Sequence, residues 1–181
     1  MNQNGKPDRT LLENQDYNFI KTDKHLGKHV ILLGLAGSYS YGTNNESSDI
    51  DIRGIALNQK SDLIGMTNFE QYVDQKTDTT IYSFRKIITL LLNCNPNTIE
   101  LLGLNPEHYL YLNRIGEELL ANRSLFLSKR AVHSFGGYAD AQLRRLQNAL
   151  ARDSYPSGRK NSYLSFCEKR DVRVPEPVQQ L

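Results

Sequence analysis

His29-Val30-Ile31-Leu32-Leu33-Gly34-Leu35-Ala36-Gly37-Ser38-Tyr39-Ser40-Tyr41-Gly42-Thr43, followed shortly by Ser48-Asp49-Ile50-Asp51-Ile52-Arg53-Gly54-Ile55, decides how this chain folds. The first run is short, apolar and bounded by Gly27 and Gly37, which reads as a buried strand over His29 to Leu35. It enters a turn rich in Gly and Ser, with one helical turn expected at Ser38 to Tyr41. Thr43 to Ser48 is a polar loop, and Asp49 to Leu57 reads as a second strand. Side chains two apart on a strand share a face, so Asp49 and Asp51 project together while Ile50 and Ile52 enter the core. Carboxylates held that close repel each other unless a cation sits between them. Mg²⁺ suits the position, because it takes one or two carboxylates together with substrate phosphates.

Outward from this centre, residues 1–13 are polar and read as mobile. Asp16 to Lys24 forms a short helix, with Asn14 or Asp16 near its start. Ser61 to Gly65 is a single helical turn capped by Ser61. Phe69 to Asp74 and Asp78 to Tyr82 read as strands joined by a turn at Gln75 to Thr77. Ser83 caps a helix over Phe84 to Asn93, whose Phe84, Ile87, Ile88, Leu91 and Leu92 recur at helical spacing. Pro96 ends it, and Thr98 to Leu102 is a short buried helix. Asn113 to Leu120 and Ser128 to Leu150 are helical, the second carrying a stripe of Val132, Phe135, Ala139, Leu143, Leu146 and Leu150. Gly136-Gly137 interrupts that stripe and predicts a close neighbour or a kink. Strands interleaved with helices, then helices alone, give an α/β core followed by a helical portion. The division is an N-terminal segment with a short helix (1–27), a core (28–105), a helical portion (106–151) and an irregular tail (152–181).

At 181 residues the chain is long enough to bury a core, and 39% hydrophobic and 23% charged residues are ordinary for a globular protein. No apolar run approaches the ~20 residues of a membrane helix, and residues 1–7 lack a signal peptide's apolar centre. The expectation is a cytoplasmic protein without a membrane partner. Cys94 and Cys167 make no disulfide framework or zinc site, and Cys94 reads as a free buried thiol. Residues 121–181 carry 11 Lys or Arg against 5 Asp or Glu, net +6, and the rest is −4. That split suits a metal site beside a surface for an anionic partner, with Lys129, Arg130, Arg144 and Arg145 as candidate contacts. A solvated helix face with a charged tail accounts for it equally well.

Gly37-Ser38, ten intervening residues, then Asp49-Ile50-Asp51 resembles the signature of the DNA polymerase β-like nucleotidyltransferase superfamily. The fuller wording from Gly37 to Thr43 and from Ser48 to Ile55 is similar to a bacterial and phage branch, some of it associated with RNA repair. The likeness runs from about Val30 to about Ala151. It implies a small mixed sheet flanked by helices, with a helical C-terminal portion. Asp49 and Asp51 would hold two Mg²⁺ ions (Mn²⁺ as a substitute), one on the triphosphate and one on the attacking hydroxyl. Gly37 and Ser38, with Ser48, would bind the nucleotide, through free backbone N–H groups and a hydroxyl.

Superfamily members carry a third carboxylate on a neighbouring strand, often the general base and a metal ligand. Asp78 is the candidate here, because Asp78-Thr79-Thr80-Ile81-Tyr82-Ser83 leading into a Lys-containing helix resembles the branch pattern; Asp74 and Glu70 are rivals. The implied activity is transfer of a nucleoside monophosphate from a triphosphate such as ATP to a hydroxyl, with release of pyrophosphate. The acceptor would be an RNA end, a protein or a small molecule.

Plainer readings stand beside each assignment. A Gly-Ser pair alone is a turn, Asp49 and Asp51 cap loops or pair with Arg53, and Asp78 is a turn residue. Arg85 and Lys86 reach a triphosphate or are simply solvated. The alternative function is a non-catalytic nucleotide-binding or antitoxin-like regulatory module of the same fold. Family members usually continue into further helices on the acceptor side. Thirty residues of little apolar periodicity follow Ala151, which predicts a fragment, a shortened form or dependence on an oligomer.

Overall fold

The computed structural model describes residues 9–45 and 48–153. One five-stranded mixed sheet forms its centre, in the order β3-β4-β2-β1-β5. The strands are β1 (Val30–Leu35), β2 (Ile52–Ala56), β3 (Gln71–Asp74), β4 (Thr79–Ser83) and β5 (Tyr109–Leu112). β1 runs antiparallel to β2 and β5, β2 runs parallel to β4, and β3 closes an antiparallel hairpin on β4. Every residue of β1 is buried, as an unbroken apolar run in a central strand requires.

Short helices surround the sheet: α1 (Phe19–Thr22), α2 (Gly37–Tyr41), α3 (Lys60–Leu63), α4 (Phe84–Leu92), α5 (Pro96–Leu102) and α6 (Arg114–Ala121). Two buried clusters cover its faces. One joins Val30, Leu33, Leu35, Ile52 and Ile81 to Tyr17, Ile20 and Leu26 from the N-terminal segment. The other joins Ile31, Leu32 and Ile55 to Ile87 and Leu91 of α4, Leu101 and Leu102 of α5 and Leu119 of α6. Tyr109 ties β5 to α5 by donating to the Leu101 carbonyl at 3.0 Å, and burial pushes its phenol pKa up to about 12. At Gly116, α6 meets β1 so closely that a Cβ would strike the Ile31 carbonyl oxygen. Cys94 is a buried free thiol, as its sequence setting predicts; Cys167 lies outside the described residues.

Four expectations are corrected. Residues 9–13 are not loose: Arg9–Glu13 is a 3-10 turn, with Leu11 and Leu12 packed against the core, while residues 1–8 lie outside the described residues. β2 begins at Ile52 rather than Asp49, its first partner being Leu35 at the end of β1. α3 begins one residue earlier than expected, with Gln59 as its cap; Asp62 accepts a hydrogen bond from the Gln59 N–H at 2.9 Å. Tyr109–Leu112, inside the stretch expected to be helical, is instead an edge strand paired with β1.

The chain divides into two compact units, Met1–Phe135 and Gly136–Leu181. The sheet and both clusters belong to the first unit. In the second, residues 136–153 are described, as the continuation of the helix α7 (Arg130–Asp153). Gly136 and Gly137 stay helical, and among the described residues nothing lies within 4 Å of where a Cβ would sit on either. No helix among the described residues is long and apolar enough to cross a membrane.

Candidate functional site

Strand direction gathers the site. Because β2 is antiparallel to β1, the residues just before β2 lie beside those just after β1, and the Ala36 N–H donates to the Asp51 carbonyl at 2.8 Å. Because β4 is parallel to β2, the residue just before β4 lies beside the start of β2, and the Ile52 N–H donates to the Asp78 carbonyl at 3.1 Å. Segments 36–38, 49–51 and 78 therefore meet at one end of the sheet.

Gly37 leaves β1 with φ +60°, in the left-handed region that glycine enters without steric cost. A Cβ there would lie 3.3 Å from Asp51 Oδ2, so the backbone passes directly against that carboxylate. α2 starts at Gly37 behind Ala36, which has no side chain able to satisfy the first-turn N–H groups. Gly42, also left-handed at φ +65°, ends the helix, and Thr43 folds back to donate its N–H to the Ser38 carbonyl at 3.0 Å.

Asp51 is half-buried, with Oδ2 accepting from Arg53 Nη2 at 3.0 Å. Its pKa is nevertheless raised. Burial is the largest cause, the negative charge of Asp78 adds to it, and Arg53 opposes both. Asp78 holds φ +44°, a conformation Asp tolerates better than most residues. It lines a cleft of about 560 Å³ together with Ser48, Asp49 and Ile50. The three carboxylates form a chain of neighbours: Asp51 feels Asp78, and Asp78 shares the cleft with Asp49. Among the described residues, no three His, Cys, Asp or Glu side chains are gathered closely enough to hold an ion by themselves. Their donor chemistry still fits Mg²⁺, which needs only one or two carboxylates beside phosphate oxygens.

The rivals for the third position are occupied elsewhere. Asp74 accepts from the Thr77 N–H at 2.9 Å and its hydroxyl at 2.7 Å, anchoring the β3–β4 turn. Glu70 pairs with Lys86 at 2.9 Å, and Arg85 donates to Asn68 at 3.2 Å. Ser48 is tied to Asn45: its hydroxyl accepts from the Asn45 N–H at 2.9 Å and donates to Asn45 Oδ1 at 3.1 Å.

Sequence reasoning did not find the other wall of the cleft. Leu11, Asn14, Asp16 and Tyr17 form it, and Asp16 reaches across to Lys76 at 2.6 Å. Sixty residues separate that pair, and no local pattern announces it. The only available signal was the Leu11-Leu12 pair, which seats this segment on the core.

A known family's sequence profile matches residues 13–174. This chain belongs to the RlaP family, the RNA repair pathway DNA polymerase beta family. The open mixed sheet with its flanking helices agrees with the polymerase β-like fold of that family. The RlaP match covers 36–38, 49–51, 78 and, from residue 13 onward, most of the cleft wall. No curated protein and no solved structure matches the chain.

Proposed function

We propose that this RlaP-family protein is a Mg²⁺-dependent nucleotidyltransferase, moving a nucleoside monophosphate from a triphosphate to the hydroxyl of an acceptor, with an RNA end the favoured one. The observation that carries the reading is the register that sets Asp51 against Gly37 and Asp78 beside Asp51. Gly37 and Ser38 offer backbone N–H groups and a hydroxyl to the phosphates, and a side chain at Gly37 would push into Asp51. Asp49, Asp51 and Asp78 would hold the metal only together with phosphate oxygens of the substrate, and the metal when bound would supply positive charge to the phosphates and to the attacking oxygen. Asp78, exposed at the cleft, takes the proton as the acceptor oxygen bonds to the α-phosphorus. The bond from that phosphorus to its bridging oxygen breaks in line, and pyrophosphate leaves. Ser48, next to Asp49 in the chain and bonded to Asn45, would serve this chemistry by steadying the residue beside that carboxylate.

The test is transfer of label from α-labelled nucleotides to RNA with Mg²⁺ or Mn²⁺. Replacing both Asp49 and Asp51 by Ala should lower transfer at least ~10³-fold; label transfer that survives the double replacement removes them as metal ligands. One observation favours the non-catalytic alternative: Arg53 already neutralises Asp51 at 3.0 Å. A nucleotide that binds calorimetrically with Mg²⁺ but is never consumed would establish that reading instead.

A further inference from the structure

We infer that the cleft between the N-terminal 3-10 turns and the β3–β4 turn seats the unpaired terminal nucleoside of the acceptor RNA, while the triphosphate lies on the Gly37 side. This rests on the transferase reading for its catalytic meaning, but not for its binding test.

Charge is the first argument. Among the described residues Asp16, Asp49 and Asp78 line the cleft against a single cation, Lys76, and Lys76 is bound to Asp16 at 2.6 Å. Apart from a bound metal, such a lining offers a triphosphate no free counter-charge and suits an uncharged group. Hydrogen-bonding capacity is the second. Asn14 uses its amide oxygen to cap the turn at Asp16, at 3.3 Å, a bond that does not involve its NH₂ donor. Gln75, exposed in the hairpin turn, makes no side-chain hydrogen bond among the described residues and offers both a donor and an acceptor. Two amides on one cleft match the edge of a nucleobase, and Leu11 and Ile50 supply apolar surface for its face. A volume of about 560 Å³ fits one nucleoside. Position is the third argument: Asp49 and Asp78 form part of the lining and Gly37 does not, so a terminal hydroxyl held here faces those two carboxylates.

Gln75→Trp narrows the cleft from an exposed turn, and Gln75→Ala removes only the amide. In steady-state transfer, Gln75→Trp should raise KM for a single-stranded RNA acceptor at least ~10-fold and leave KM for the nucleotide within ~2-fold. The Ala variant should shift the RNA KM about 3-fold. Anisotropy of a short fluorescent RNA without nucleotide should show the same ordering, with thermal scans matching the wild type. If the wild type transfers no label yet RNA binding weakens in this order, the transferase reading falls and the cleft assignment stands. The assignment is overturned by a raised nucleotide KM with unchanged RNA KM, by RNA binding indifferent to both variants, or by a protein acceptor labelled in place of RNA.

Discussion

Gly37 and Asp51 are neighbours across the end of the sheet, and their substitutions should move stability in opposite directions. At Gly37 the left-handed backbone and the 3.3 Å approach to Asp51 Oδ2 both resist a Cβ. Gly37→Ala is expected to cost about 1–2 kcal/mol, lowering Tm by about 2–8 °C, and to weaken nucleotide binding. Asp51 is different because its folded state holds the proton more tightly than the unfolded chain does, chiefly through burial. Its contribution to stability is greatest below the unfolded carboxylate pKa and declines as pH rises through the raised folded value. Asp51→Asn therefore removes a penalty at neutral pH, although it also weakens the Arg53 pair. We expect Tm at pH 7 to rise by ~1–3 °C while transfer is lost. Thermal scans from pH 4 to 8 check the sign: the wild-type excess over the variant should shrink or reverse as pH rises.

Among the elements, α3 shows how a cap can hold a loop to the core. Asp62 is buried beneath it, bonded to the Thr67 hydroxyl and the Gln59 N–H, with His25 Nδ1 at 3.8 Å. The Thr67 hydrogen bond is the main cause of its lowered pKa. That contribution is present above the unfolded carboxylate pKa and lost as pH falls through the folded value, the reverse of Asp51. Asp62→Ala should lower Tm at pH 7 by about 2–5 °C, and the deficit should narrow as the buffer is taken toward pH 3. This cap was only half legible in sequence: Ser61 is the commoner capping type, whereas Gln59 caps through its reciprocal partner Asp62. α4 was legible in full, since Ser83 accepts from the Lys86 N–H at 3.2 Å as its position before an amphipathic run implies. β5 was not, because Tyr109-Leu110-Tyr111-Leu112 is too short and too uniformly apolar to show a period, and its partner β1 lies far back in the chain. For the same reason Gly37, Asp49 and Asp51 could be read from one motif. Asp78 depended on a parallel pairing that no local pattern fixes, and Asn14, Asp16 and Lys76 depended on packing across the whole first unit.

At the scale of the molecule, the question is which apolar residues hold the fold. α7 repeats Leu143, Leu146 and Leu150 at helical spacing, and by sequence alone they look like core. In the structure they are 54%, 57% and 61% exposed, whereas both buried clusters and all five strands lie in the unit ending at Phe135. Burial, not periodicity, sets the energetic weight of an apolar side chain, since only area removed from water contributes. Replacing Leu143, Leu146 and Leu150 together by Gln should therefore leave the main thermal transition within ~2 °C of wild type. Leu101, 2% exposed on α5 and packed where α5 meets the sheet, sets the opposite case. Leu101→Ala should cost about 2–5 kcal/mol and lower Tm by ~5–15 °C. Differential scanning calorimetry on the full chain distinguishes the two. A large loss from the triple Gln variant would mean that the α7 stripe is covered in solution, and that the first unit does not carry the stability by itself.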